Sequence, residues 1–392
     1  MPFAIYLLGL AVFAQGTSEF MLSGLVPDIA GDLRVSVPAA GALTSAFAVG
    51  MIIGAPLMAI LSLRWPRRRA LLVFLSTFML VHVIGAVTTS FGVLLATRVV
   101  GALANAGFLA VGLATATGMA GPNAKGRAAS VLLGGITLAC IAGVPAGAVL
   151  GQLWGWRAAF WAVAVVSVPA IFAILHSVPA VAPDAAVAGA RQELRALYRP
   201  RLIVTLLLAA LVNGATFCTF TYLAPVITDV SGYDQKWVPA LLAIFGLGSF
   251  VGVTVAGRMS DAQPMRLLVP GGLALFVGWL LFTLTADHAA AAFLLVFVQG
   301  TLSFAVGSTL ITRVLYAAGE APSLGGSYAT AALNVGAAVG PLLGGAVIGA
   351  GLGYRSPLWV SALLVALAFV TAGLAEAVRR ARTDPHRNVS TS

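Results

Sequence analysis

Charge is what this sequence has least of: only 9% of its 392 residues are Asp, Glu, Lys or Arg, against 60% that are hydrophobic. A water-soluble domain carries about a quarter charged residues, so the solvent for most of this chain is expected to be lipid. Histidine and cysteine are as scarce. Cys140 and Cys218 lie in apolar stretches, where cysteine behaves as a small hydrophobe, which argues against a secreted disulfide framework. His82, His176, His288 and His386 are scattered, and Glu19 stands alone among acids deep inside an apolar stretch. That distribution disfavours a membrane enzyme and offers no metal site. No G-x-x-x-x-G-K-[ST] loop occurs, and no soluble domain is long enough to hold one, so ATP-driven pumping is disfavoured and no cofactor is expected.

Long apolar runs are what remains. In hydrocarbon every backbone N–H and C=O needs an internal partner, leaving helices or closed barrels. Stretches such as Leu202 to Leu211 and Leu358 to Val370 lack the polar alternation of barrel strands. An all-α membrane protein follows, with spans expected near 3–27, 39–62, 70–89, 92–119, 128–150, 158–177, 202–227, 237–257, 267–285, 289–312, 323–349 and 357–376. The first is read as a span rather than a signal peptide, since it lacks a basic start and more spans follow.

An even number of crossings puts both termini on one side. If that side is the cytoplasm, only Arg34, Arg157, Lys236 and Arg355 of the 22 Lys and Arg residues fall outside, and Arg98 falls within the membrane. This bias orients a multi-pass protein of the cell membrane, plasma or inner, with both termini cytoplasmic. The net charge of +10 is then an address on lipid, not a nucleic-acid footprint.

An offset of 198 residues pairs Pro27 with Pro225, Gly50 with Gly248, Gly54 with Gly252, Pro66 with Pro264, Arg68 with Arg266, Arg157 with Arg355 and Trp161 with Trp359. Six spans per copy keep the copies in the same orientation, predicting two parallel six-helix pseudo-repeats with a path between them. The expected organisation is an N-terminal half at 1–177, a cytoplasmic linker at 178–201, a C-terminal half at 202–380 and a cytoplasmic tail at 381–392.

Glu19 is the first candidate for chemistry. An ionised acid at mid-span costs about 3 kcal/mol, which suits a group that exchanges a proton. Gln15, Glu19 and Ser23, four apart, share one helix face and are expected to line a cavity. Arg98 is the basic residue well inside a span, and Asn105 follows two turns on. Glu19 and Arg98 are the expected proton-coupling pair. Candidate substrate contacts are Gln15, Ser23, Asn105, Asn213, Phe217, Phe220, Tyr222 and Asn334, with interhelical packing as the competing reading. Asp28, Asp32 and Arg34 form either a capping cluster or a gate. Gly143, Pro145 and Gly147 in the fifth span, and Gly340 and Pro341 in the eleventh, predict close helix approach with a bend.

These residues resemble the major facilitator superfamily, and within it the twelve-span drug:proton antiporters. The carriers of the resemblance are Gly16-Thr17-Ser18-Glu19-Phe20 with Gly24 to Ala30, the stretch Leu94 to Gly107 around Arg98 and Gly101, and Gly143 to Gly147 ending in Gly155-Trp156-Arg157. The likeness covers essentially the whole chain and is strongest toward the actinomycete chloramphenicol-resistance exporters. It implies a major-facilitator fold and proton-coupled, alternating-access efflux of a small drug-like molecule, chloramphenicol first. Export of sugars or another metabolite is the alternative. The implied partners are that substrate, protons and membrane lipid, for a monomer. Arg98 would be the coupling arginine, and Arg68, Arg157 and Asp261 would serve gating. The loop after the second span departs from the family pattern: Leu63 and Pro66 stand where an aspartate and a glycine are usual, and Asp261 keeps the acid in the second half alone.

Overall fold

The computed structural model describes residues 2–62, 65–120, 124–178, 200–259, 264–317 and 325–383. Leu63, Asp261, residues 179–199 of the expected linker and the tail from 384 lie outside the described residues. Among the described residues there is no strand, and twelve helices are long and apolar enough to cross a membrane. They are α1 (Phe3–Gly24), α2 (Val37–Ala55), α3 (Arg67–Val87), α4 (Phe91–Met119), α5 (Arg127–Trp154), α6 (Trp156–Ser177), α7 (Pro200–Thr221), α8 (Gln235–Met259), α9 (Pro264–Thr285), α10 (Ala289–Ala317), α11 (Tyr328–Leu352) and α12 (Ser356–Arg380).

Departures from regular helix fall in α1, α5 and α11. The first span does not run on to residue 27: its α-helix ends at Phe20, tightens to a 3₁₀ turn over Met21–Gly24, and a separate short helix, Val26–Leu33, follows. Gly24 and Pro27 account for the break, since proline starts a helix more readily than it continues one, and the result places Asp28 and Asp32 on a helix. In α5 a π turn over Ala139–Gly143 precedes Pro145. Proline has no N–H to give the carbonyl four residues back, and the wider π turn relieves its ring there. In α11, Pro341 sits inside regular helix and the π turn comes later, at Ile348–Leu352.

The 198-residue offset reappears in the backbone. Left-handed φ occurs at Arg34 and Gly232, and positive φ again at Gly155 and Gly353. Gly155 is the single residue between α5 and α6, where an extended backbone with φ +81° is available to glycine alone. Packing repeats too. Gly50 and Gly54 seat α2 against Val99 and Leu103 of α4, and Gly248 and Gly252 seat α8 against Phe297 and Thr301 of α10, the residues 198 further on. Small residues permit this approach, and in lipid close packing replaces the hydrophobic drive between helices.

Helices α1–α6 pack mainly among themselves, as do α7–α12; the two groups join where α2 meets α11 and α5 meets α8. Ala48 of α2 and Val144 and Ala148 of α5 accordingly belong to the same buried cluster as the core of α7–α12.

Candidate site between the two helix groups

The site starts on the last α-helical turn of α1. Arg98 reaches it from α4, donating from Nη1 to the Ser18 hydroxyl at 2.8 Å and from Nη2 to the Ser18 carbonyl at 2.9 Å. Its guanidinium carbon lies 4.4 Å over the Phe47 ring of α2, a cation–π contact that strengthens away from water. Arg98 is 2% exposed and its Nε has no partner among the described residues. Behind Ser18 stands His82 of α3, whose Nε2 is 2.6 Å from the Ser18 hydroxyl and whose Nδ1 is 2.7 Å from the Phe78 carbonyl.

Glu19 is next to this arrangement and outside it. Its side chain is half-buried, accepts no hydrogen bond among the described residues, and attracts Arg98 electrostatically without pairing with it. Opposite charges thus share a low-dielectric region while Arg98 spends its hydrogen bonds on Ser18. Beside Glu19, Phe20 begins an aromatic wall that crosses from α1 to the second group: Phe20 to Phe217 at 5.7 Å, Phe217 to Phe220 at 6.1 Å, Phe220 to Phe245 at 4.6 Å and Phe245 to Phe304 at 6.2 Å between centroids.

Of the expected polar face on α1, Gln15 is buried at 1% exposure with neither amide atom partnered. Thr44, Ser45 and the Asn105 Oδ1 are also buried without partners among the described residues. Unpartnered buried polar atoms are costly and call for water or a ligand. The Asn105 amide donates only to the Met51 sulfur at 3.5 Å. Ser23 falls in the 3₁₀ turn and donates to its own helix, to the Phe20 carbonyl at 2.7 Å. Asn213 joins α7 to α11 by donating to the Leu333 carbonyl at 2.6 Å, and Asn334 donates to the Thr330 carbonyl of its own helix at 2.9 Å. Tyr222 is buried, donates to the Pro341 carbonyl at 2.9 Å and packs its hydroxyl against Gly41 of α2 and Gly345 of α11.

The expected structural glycines lie at tight contacts. Gly143 sits on the Thr17 side chain, Gly147 faces Met21, and Gly340 sits on the Gly214 carbonyl. Pro145 is buried. Arg68 is half-buried, while its neighbour Arg67 donates to the Ala114 carbonyl near the end of α4 at 3.3 Å. Sequence reasoning did not single out Arg67, Ser18 or His82. The adjacency of Ser18 to Glu19 and the presence of a histidine inside a span were the available signals.

At the end of the molecule remote from Phe3 and Arg380, polar side chains tie the two groups together. Gln152 at the end of α5 donates to the Gln235 carbonyl at 2.6 Å, and the Gln235 amide donates to Asp28 at 3.1 Å. Arg157 pairs with Asp32, donates to the Thr88 carbonyl at 2.9 Å and stacks 4.3 Å from the Trp156 ring. Its offset counterpart Arg355 reaches Asp287 at 3.7 Å. Asp28, Asp32, Gln152, Arg157 and Gln235 line a cavity of about 730 Å³ with Trp154, Trp156 and Lys236. Burial pushes the Asp28 carboxyl above its ordinary range, against the pull of the Gln235 bond. The bonds from Arg157 and Trp156 hold Asp32 below it.

A family model described as Major Facilitator Superfamily matches residues 8–332. The chain belongs to that superfamily. It is 57% identical over 375 residues to a chloramphenicol resistance protein of Streptomyces lividans, covering 95% of this chain and 96% of that one. It is 35% identical over 367 residues to the inner membrane transport protein YdhP of Escherichia coli K12, covering 93% of each. Among solved structures, a bacterial homolog of the human lysosomal transporter Spinster, crystallised inward-facing and occupied, superposes with a TM-score of 0.74 at 16% identity over 95% of this chain and 96% of that one. That likeness is one of fold.

Proposed function

We propose that the protein exports chloramphenicol, or an uncharged aromatic molecule of similar size, in exchange for protons. The observation that carries this reading is Glu19: a half-buried carboxylate on the last α-helical turn of the first span, free of hydrogen bonds among the described residues, next to the Phe20–Phe217 contact that bridges the two helix groups. The identity with the Streptomyces lividans chloramphenicol resistance protein supports the choice of drug. An aromatic wall with a few unpartnered polar groups, Gln15 and Asn105 among them, suits a ring carrying neutral hydrogen-bonding substituents.

With both termini cytoplasmic, as the distribution of Arg and Lys favours, the Gln152–Gln235 end faces outward and is closed. Drug enters from the cytoplasmic side and settles against the phenylalanines while Glu19 is ionised. The groups then rock, the outer end parts, and a proton arriving at Glu19 displaces the drug. Binding of the two is thereby linked, as exchange requires.

The test is reconstitution in proteoliposomes with labelled chloramphenicol. Wild-type protein is expected to accumulate drug against its gradient when a proton gradient is imposed. Glu19→Gln should abolish that accumulation while keeping drug-for-drug exchange. Proton-driven accumulation surviving in well-expressed Glu19→Gln would overturn the reading.

A further inference from the structure

Three hydroxyl groups line the second half of α1, and two of them are satisfied within their own helix. Thr17 donates to the Phe13 carbonyl at 2.8 Å and Ser23 to the Phe20 carbonyl at 2.7 Å. Ser18 makes outward bonds instead. We propose that His82 is a positioning residue that acts through the Ser18 hydroxyl to hold the Arg98 guanidinium away from Glu19.

The direction of each bond follows from the acceptors. The Phe78 carbonyl, 2.7 Å from Nδ1, can only accept, so Nδ1 carries the ring proton and Nε2 presents a lone pair. Ser18 therefore donates its hydroxyl proton to Nε2, at 2.6 Å. That leaves the lone pairs of the same oxygen for Arg98, which donates to it at 2.8 Å while its second amino group takes the Ser18 carbonyl. The chain Arg98 to Ser18 to His82 to Phe78 is complete, each member donating to the next. The imidazole is fixed by Phe78 at 4.2 Å and by Phe160 of α6 at 5.7 Å between centroids.

The groups around it show what the arrangement restrains. The charged side chain that acts on His82 is Arg98 on α4; Glu19 follows Ser18 in sequence on α1, and α6 presents Phe160 there. Glu19 in turn faces Arg98 and Cys140 of the π turn in α5. Deprived of His82, Ser18 is expected to do what Thr17 and Ser23 do and return its proton to a carbonyl of its own helix. The side-chain rotation this needs swings the oxygen, and with it the lone pair that aims Arg98, away from the guanidinium. Its Nε is already without a partner among the described residues, and the acceptor that attracts it by charge is the Glu19 carboxylate. A direct pair would hold the carboxylate against the exchange that coupling needs. The inference rests on the reading of Glu19 as the coupling group, and extends it to a residue two helices away.

The test is a distance measurement in lipid bilayers, by rotational-echo solid-state NMR between carboxyl-labelled Glu and guanidinium-labelled Arg. Glu19→Gln spectra are subtracted, and the Glu376–Arg379 pair at 2.7 Å serves as internal reference. Wild-type protein and His82→Gln, whose amide oxygen keeps the acceptor for Ser18, should show no Glu19–Arg98 coupling of salt-bridge strength. His82→Leu and Ser18→Ala should both show it, and their proton-driven accumulation of labelled chloramphenicol should fall about tenfold, restored in His82→Gln. Absence of the new coupling in folded His82→Leu and Ser18→Ala, or its presence in His82→Gln, overturns the inference without touching the assignment of Glu19. Full export in Glu19→Gln sinks that assignment whatever the spectra show.

Discussion

Gly246 lies where α8 crosses the π turn of α5, and a methyl group there tests alternating access directly. A Cβ built on Gly246 overlaps the Cys140 carbonyl oxygen, and lies 2.7 Å from the Cys140 carbonyl carbon and 2.9 Å from the Ile141 Cα. All three atoms are backbone and no rotamer change clears them, so the two helices must move apart. Overpacking of this kind costs about 1–3 kcal/mol. Because α5 and α8 belong to different groups, the cost falls on the conformation in which they touch and is absent once they part. At about 1.4 kcal/mol per factor of ten, Gly246→Ala should shift the equilibrium away from the closed Gln152–Gln235 end by roughly five- to 150-fold. Gly252→Ala is the control for damage in general. Its Cβ would overlap the Thr301 carbonyl oxygen and lie 2.9 Å from the Ala305 nitrogen, inside the α8–α10 packing, so it should lower thermal stability with little effect on the balance of states. Gly257, with nothing within 4 Å, should tolerate alanine. Spin labels flanking the Gln152–Gln235 end, read by pulsed electron resonance, report the separation. If Gly246→Ala and Gly252→Ala give the same distance distribution as wild type, the α5–α8 crossing is not the hinge contact argued here.

Acid should favour the closed end. The half-buried Asp28 titrates above its ordinary range in the structure and returns toward that range once hydrated, so the closed form binds the proton more tightly, and a fall in pH through the raised value stabilises it. Asp28→Asn should leave that end closed at neutral pH and remove the pH dependence of the spin-label distance. Asp32 has the opposite sign. Its stabilising bonds are present above the ordinary carboxylate range and lost as pH falls through its lowered value; with 46% of the side chain exposed, Asp32→Asn should cost no more than about 1 kcal/mol in thermal unfolding. Tyr222→Phe removes the 2.9 Å bond to the Pro341 carbonyl in a buried setting, and should cost about 1–3 kcal/mol, visible as a lower midpoint in detergent melts.

The fold was legible because hydrocarbon leaves so few choices. Twelve apolar runs and an offset carrying Pro27, Arg157 and Trp161 onto matching residues required no side-chain contact to be known. What stayed hidden depends on rotation and partner. Counting every fourth residue put Ser23 on the face of Glu19, but the 3₁₀ turn from Met21 breaks that count and returns the hydroxyl to Phe20. Glu19 and Arg98 could be named as isolated charges in apolar sequence. That Arg98 would hydrogen-bond the residue before Glu19, and not Glu19 itself, turns on the position of His82, 64 residues from Ser18.

Applied to the site itself, the offset marks a division of labour. The residues 198 beyond Glu19, Arg98 and His82 are Phe217, Val296 and Leu280, so each of these three groups is answered by an apolar side chain in the second half. Phe217 is the aromatic neighbour of Phe20: the position that holds the carboxylate in one copy supplies part of the aromatic wall in the other. Two copies with a charge at both positions would place like carboxylates across a narrow low-dielectric space, where their repulsion is only weakly screened. Two copies with phenylalanine would have nothing to protonate. The exchange of protons for an uncharged aromatic molecule proposed above needs one of each. If Phe217→Glu in a Glu19→Phe background restored proton-driven export, the pseudo-symmetry would be functional in both directions; we expect it not to, because Val296 and Leu280 leave the transplanted acid without the Arg98, Ser18 and His82 arrangement that the first half provides.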